Sequence, residues 1–311
     1  IHDWIDQTKK PTVKQLEAFS KKVHLPFGYL FLPEPPKESL PIPFFRTNNG
    51  RQNHVNINVF DTILLMQQRQ DWLREYLKEN DFTPLPFVGK FGHNHNYKEI
   101  VDDIRRTLEL NNEWASSFGT LQDALDHLAQ KIEEIGITIV FNGIVENNTR
   151  RPISVDECRG FVLVDPVAPF MFINNSDGKA AQLFTILHEL AHIWTGHSAG
   201  FDFRQLLPAN DPIELLCDKV AAELLVPAES FEKVWKNKPD IAGTARYFKV
   251  SEIVIARRAL DLGYLTKTKF FDFYNEYANR EYLKKGKKSD GGNFYATAKK
   301  RVGLTFAAHV N

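Results

Sequence analysis

The sequence predicts an α+β fold, mostly helical, with a small sheet of about three strands packed on one apolar helix. Three observations carry that expectation. β-Branched and aromatic residues cluster in short runs at 137–141, 159–164 and 169–174. Apolar residues recur at helical spacing on either side of those runs. The stretch from Ala180 to Thr195 follows the last run and holds neither Pro nor Gly, and Leu183, Phe184, Leu187, Leu190, Ala191 and Trp194 flank its polar residues, as in a buried helix. Strands grouped ahead of helices make an α+β unit.

The chain has 311 residues, 43% hydrophobic and 25% charged, enough for two or three globular domains. Its 39 basic and 39 acidic residues cancel, so bulk charge does not argue for nucleic acid. Two cysteines, Cys158 and Cys217, cannot build a disulfide framework or a Cys-rich zinc site; a reducing cytoplasm is the expected compartment. No apolar run reaches membrane-spanning length, and no signal peptide is visible. The chain begins at Ile1 rather than Met and reads as a fragment.

In order, residues 1–36 resemble the tail of a helix-turn-helix-like domain; the alternative is a helical hairpin that docks on the next domain. Pro11 and Thr12 open a helix striped by Leu16, Phe19 and Val23. His24-Leu25-Pro26 turns into a short apolar helix. Residues 37–55 read as a Pro-rich linker. Residues 56–135 form a helical domain: a long helix over 56–79, then helices over 97–111 and 120–135. Between them Gly92-His93-Asn94-His95 reads as a surface loop. Gly136 ends the last of these helices, and a core follows over 136–235. In it the three strands are joined by a loop over Asn147–Arg151 and a turn at Asp165-Pro166. Residues 236–311 form a C-terminal helical region. Helices over 241–248 and 251–262, with Ser251 as cap, make a packed hairpin in which Arg246, Arg257 and Arg258 are candidates for phosphate contact. An aromatic helix over 266–284 and a last helix opened by Gly291-Gly292 complete the chain.

The helix after the third strand carries His188-Glu189-Leu190-Ala191-His192. Residues four apart share a helix face, so His188 and His192 can present two imidazoles to one ion. Glu189 lies about 100° from His188 and about 60° from His192, placed to act as a base without being a ligand. Two neutral imidazoles beside a carboxylate base suit zinc-assisted hydrolysis. A catalytic zinc site needs a third protein ligand. His197 arrives one residue too early for the three-histidine pattern. Glu214 sits on a helix started by Pro212 and stopped by Pro227, with Asp218 four residues on, placed to accept a histidine ring N–H. Glu223 is the rival, half a turn away from Glu214.

Phe184-Thr185-Ile186-Leu187-His188-Glu189-Leu190-Ala191-His192, followed by Glu214-x-x-Cys217-Asp218-x-x-Ala221-Ala222-Glu223-Leu224-Leu225-Val226-Pro227, resembles the ImmA/IrrE family of zinc metallopeptidases. The resemblance is motif-specific over 137–228. It implies a zincin-like helix, a Zn2+ cofactor held by His188, His192 and Glu214, and Glu189 as general base. Asp218 stands where the family more often has Asn, and Cys217 where it more often has a small residue; a thiol there suggests oxidant sensitivity. The resemblance further implies a protein substrate, a repressor or antitoxin, and a DNA partner through the portion that precedes Ile1. Tyr264, Tyr247 and His197 are candidate oxyanion donors. The alternative is a non-enzymatic transcriptional regulator or toxin–antitoxin component that uses the fold as a sensor or binding module.

Overall fold

The computed structural model describes residues 1–34, 56–93, 96–201, 211–237, 239–284 and 300–310. The expected 37–55 linker, His95 and the helix opening at Gly291 lie outside the described residues. Close contacts divide the chain into two units, Ile1–Pro41 and Ile42–Asn311.

In the first unit, helix α1 (His2–Ile5) precedes α2 (Val13–Val23) and a 3-10 turn at Phe27–Phe31. Thr12 and Gln15 form a reciprocal capping box at the start of α2, which satisfies donors the helix leaves open. His24, left-handed at φ 57°, ends it.

The second unit is mostly helical around a four-stranded sheet. Helices α3 (Ile57–Glu79), α4 (Tyr97–Thr107) and α5 (Leu121–Glu134) come first. Gly136, at φ +91°, supplies the left-handed residue that follows α5. Strands β1 (Thr138–Asn142), β2 (Ile144–Val145), β3 (Asn148–Pro152), β4 (Gly160–Leu163) and β5 (Phe170–Asn174) lead into α6 (Lys179–Thr195). Strand β6 (Ala199–Phe201) follows, then α7 (Pro212–Leu225), α8 (Ala228–Asn237), α9 (Ile241–Phe248), α10 (Glu252–Asp261), α11 (Lys267–Lys284) and α12 (Leu304–Val310). The sheet runs β1-β5-β4-β6, with β1 and β5 parallel and β4 antiparallel to both its neighbours.

The three expected strands all form, and β5 is buried at every position. Alternate residues serve opposite faces. Met171 and Ile173 join the main core with Leu183, Leu187 and Leu190 of α6, while Phe170 meets Phe306 of α12 at 5.8 Å. On the α12 side Gln70 of α3 donates to the carbonyls of Leu163 and Ala168 at 2.7 and 2.8 Å. The sheet therefore has helices on both faces, which explains the uninterrupted apolar runs.

Two local expectations are corrected. Asn147–Arg151 is not a loop: Asn148–Pro152 pairs antiparallel with Ile144–Val145 in a small hairpin. Its strand is largely exposed, so no buried face imposes the alternation that marks a strand in sequence. Ser251 occupies the cap position of α10, but its side chain makes no capping bond.

Candidate metal centre

The centre is built by two helices. In α6 every residue from Gln182 to Thr195 is buried. From Gln182 onward the helix has no solvent face, so the three ionisable side chains of that stretch are held inside the protein. His188 and Glu189 are fully buried and His192 is 1% exposed. In α7, Asp211 caps the N-terminus by accepting from the N–H groups of Ile213 (2.8 Å) and Glu214 (3.4 Å). This fixes the first turn, where Glu214 sits near the positive end of the helix dipole. Ala221 is fully buried, and α6 and α7 pack closely along their length.

The packing brings His188, His192 and Glu214 together. His188 Nε2 lies 3.1 Å from His192 Nε2 and 3.2 Å from Glu214 Oε2; His192 Nε2 lies 3.3 Å from Glu214 Oε1. A tetrahedral ion with bonds of about 2.0–2.1 Å has donor-to-donor edges of roughly 3.3 Å. The three atoms match that spacing. Glu214 Oε1 is buried without a hydrogen bond of proper geometry, as expected for atoms aimed at a common point rather than at each other. The donor set, two imidazoles and a carboxylate, fits zinc.

Around this set, His188 Nδ1–H donates to Asp218 Oδ1 at 3.0 Å, the contact expected from the spacing of Glu214 and Asp218. It leaves Nε2 as the free lone pair. Burial opposes protonation of His188, but the hydrogen bonds and charges of Asp218 and Glu214 outweigh it and raise its pKa. Burial also works against the Glu214 carboxylate, yet the two histidines hold its pKa well below the usual range. Burial lowers the pKa of His192. Glu189 has neither oxygen paired among the described residues. Burial, with the Glu214 charge adding to it, pushes its pKa up to about 8.

The remaining candidates are accounted for elsewhere. Glu223 pairs with Arg258 of α10 and accepts the Ala228 N–H at 3.1 Å, so it closes a helix junction. Arg258 is buried and also donates to the Val226 carbonyl; Arg257 pairs with Asp261 at 3.0 Å. Arg257 and Arg258, two of the three arginines considered for phosphate contact, thus have partners inside the protein. His197 has an exposed side chain, and its N–H donates to the His192 carbonyl at 3.0 Å. The Tyr247 and Tyr264 hydroxyls donate to Glu113 and Glu232. Cys217 is fully buried, and burial together with Glu214 and Asp218 raises its pKa. That keeps the thiol neutral and argues against the expected oxidant sensitivity. No helix among the described residues is long and apolar enough to cross a membrane.

Residues 132–260 match the family model described as the IrrE N-terminal-like domain, peptidase M78. The match covers less than half of the chain. It takes in the whole sheet, the α6–α7 pair and the α9–α10 hairpin. No curated protein matches the chain. Among solved structures, a Mycobacterium tuberculosis transcriptional regulator is 14% identical, with 62% of this chain and 51% of that one covered and a TM-score of 0.36. The chain thus spans about half the length of that regulator.

Proposed function

We propose that this protein is a zinc-dependent endopeptidase that hydrolyses a peptide bond in a specific regulatory protein, a repressor or antitoxin, in the cytoplasm. The observation that carries the reading is the unpaired Glu189 carboxyl beside three donors spaced for one ion. A metal-binding scaffold has no need of a buried, unsatisfied carboxyl group, which costs stability.

In this reading His188, His192 and Glu214 hold the ion, and Asp218 fixes the His188 tautomer. Bound zinc would supply Lewis acidity and an acidified water. Glu189 takes the proton of the attacking water and returns it to the leaving amine. Burial raises the affinity of this carboxyl for a proton, which suits a group that takes a proton and passes it on. The buried setting strengthens each of these interactions.

The test is Glu189→Gln, assayed against the repressor or antitoxin encoded beside this protein. The variant should keep a full equivalent of zinc by metal analysis and cleave at least about 100-fold more slowly. Wild-type cleavage by the variant would remove Glu189 from the chemistry.

The second reading, a non-enzymatic regulator or toxin–antitoxin component, draws on one observation. Every side chain a substrate would need to reach is buried. It predicts that the zinc-loaded wild type binds its partner and leaves it intact, which gel analysis with and without a chelator distinguishes.

A further inference from the structure

The last turn of α6 is gripped from outside the metal centre. We infer that Asp103 is a positioning residue for His192, acting through Trp194. The inference rests on the reading of His188, His192 and Glu214 as a metal site.

Asp103 lies on α4 and is 5% exposed. Its Oδ2 accepts the indole N–H of Trp194 at 3.0 Å, and its Oδ1 faces Lys90 at 2.6 Å and Arg106 at 3.4 Å. Two cations thus pair with one oxygen of the carboxylate while the other holds the indole N–H, and a hydrogen bond to a carboxylate is stronger than one to a neutral acceptor. Trp194 is fully buried and stacks on Phe87 at 4.4 Å. The turn that carries Phe87 and Lys90 also binds the helix backbone. The Gly89 N–H donates to the Ile193 carbonyl and the Phe91 N–H to the Trp194 carbonyl, both at 2.9 Å. Both carbonyls belong to the last turn of the helix; that of Ile193 also accepts from the capping Gly196 N–H at 3.2 Å. A Cβ at Gly196 would stand 3.0 Å from the Gly89 Cα, so the approach is as close as the backbone allows.

The grip matters because the two histidines are held differently. His188 is fixed by its ring, through Nδ1 and Asp218. His192 Nδ1 is buried and has no partner among the described residues. Outside the donor set, where its Nε2 meets His188 and Glu214, the ring takes its place from the backbone turn that carries it, two residues before Trp194. Metal centres tolerate displacements of only about 0.5 Å. The Asp103–Trp194 bond does for His192 what Asp218 does for His188.

The experiment compares Trp194→Phe, which keeps the ring stack and loses the N–H, with Asp103→Leu and Asp103→Asn. Zinc affinity is measured by competition with a chromogenic chelator. The ring signals of 15N-labelled histidines are recorded in the metal-free protein. Trp194→Phe and Asp103→Leu should weaken zinc binding about tenfold, broaden or split the His192 ring signals and leave those of His188 unchanged. Asp103→Asn, which keeps an acceptor for the indole, should lie closer to wild type than Asp103→Leu. Should Asp103→Leu fail to fold, Trp194→Phe carries the test. Zinc affinity within twofold of wild type, with unchanged His192 signals, overturns the inference. If the wild type itself binds no zinc, the proposed function fails, and the ring signals in the metal-free protein still decide whether Asp103 positions His192.

Discussion

His188 and Glu189 are neighbours in sequence with opposite electrostatic surroundings. His188 has two carboxylates on its ring nitrogens; Glu189 has no hydrogen-bond partner among the described residues. Two predictions follow from that contrast. A raised His188 pKa means that the metal-free centre holds a proton at neutral pH, which zinc must displace. Calorimetry in buffers of different ionisation enthalpy should show the release of about one proton on zinc uptake, with affinity weakening as pH falls. The second concerns stability. The Glu189 pKa, about 8 in the folded protein, lies above the ordinary 4.5. The folded state therefore binds the extra proton between those values, and the Glu189 contribution to stability is lost as pH rises through that window. In chelator-treated protein, Glu189→Gln should be more stable than wild type at pH 8 and closer to it at pH 5, by urea midpoints. A parallel decline in wild type and variant would assign the pH dependence elsewhere. Glu214→Ala removes one of the three donors and should abolish stoichiometric zinc by metal analysis.

The elements hold these residues through a few tight contacts. Gly160 opens β4 directly over α6: a Cβ there would meet Thr185 Cγ2 at 2.5 Å and the Phe172 carbonyl at 2.9 Å. The Phe172 carbonyl belongs to the β5 backbone and the Thr185 methyl can give only by turning its side chain, so Gly160→Ala should cost about 1–3 kcal/mol, read from denaturant unfolding. At the other end of α7, Arg258 joins α10 to Glu223 and Val226. Removing one partner of a buried ion pair strands the other, and Arg258→Ala should destabilise by about 3–5 kcal/mol. Zinc content should remain stoichiometric, because Glu223 lies outside the metal centre. Asp103 also belongs to this level. It shares the buried face of α4 with Ile100 and Ile104, and an acid on an apolar stripe is the one sequence signal that could have marked it. Its partner Trp194 lies 91 positions away, and nothing in local spacing connects the two.

For the whole second unit, a metal held by His188, His192 and Glu214 would link two helices that are separate in sequence. Ligands that bind only the folded state raise stability with the logarithm of their concentration. Free zinc at 100 times its dissociation constant should add about 2.7 kcal/mol, seen as a rise in Tm that a chelator reverses. A Tm indifferent to zinc would detach the centre from folding.

Elements with a repeating signature are legible in the residues alone: the longer helices, the three core strands and the motif that puts His188 and His192 on one helix face. The sequence also nominated Glu214 and Asp218, because i, i+4 spacing survives wherever the helix packs. Tertiary structure decided what the rival Glu223 does instead: it pairs with Arg258 of α10, away from the donor set on α6. It decided the β2–β3 hairpin and β6, which are too short or too exposed to carry a period. It also decided the grip of Asp103 on Trp194. Periodicity records which face of an element is buried; what that face meets depends on the docking of distant segments, and no local spacing encodes it.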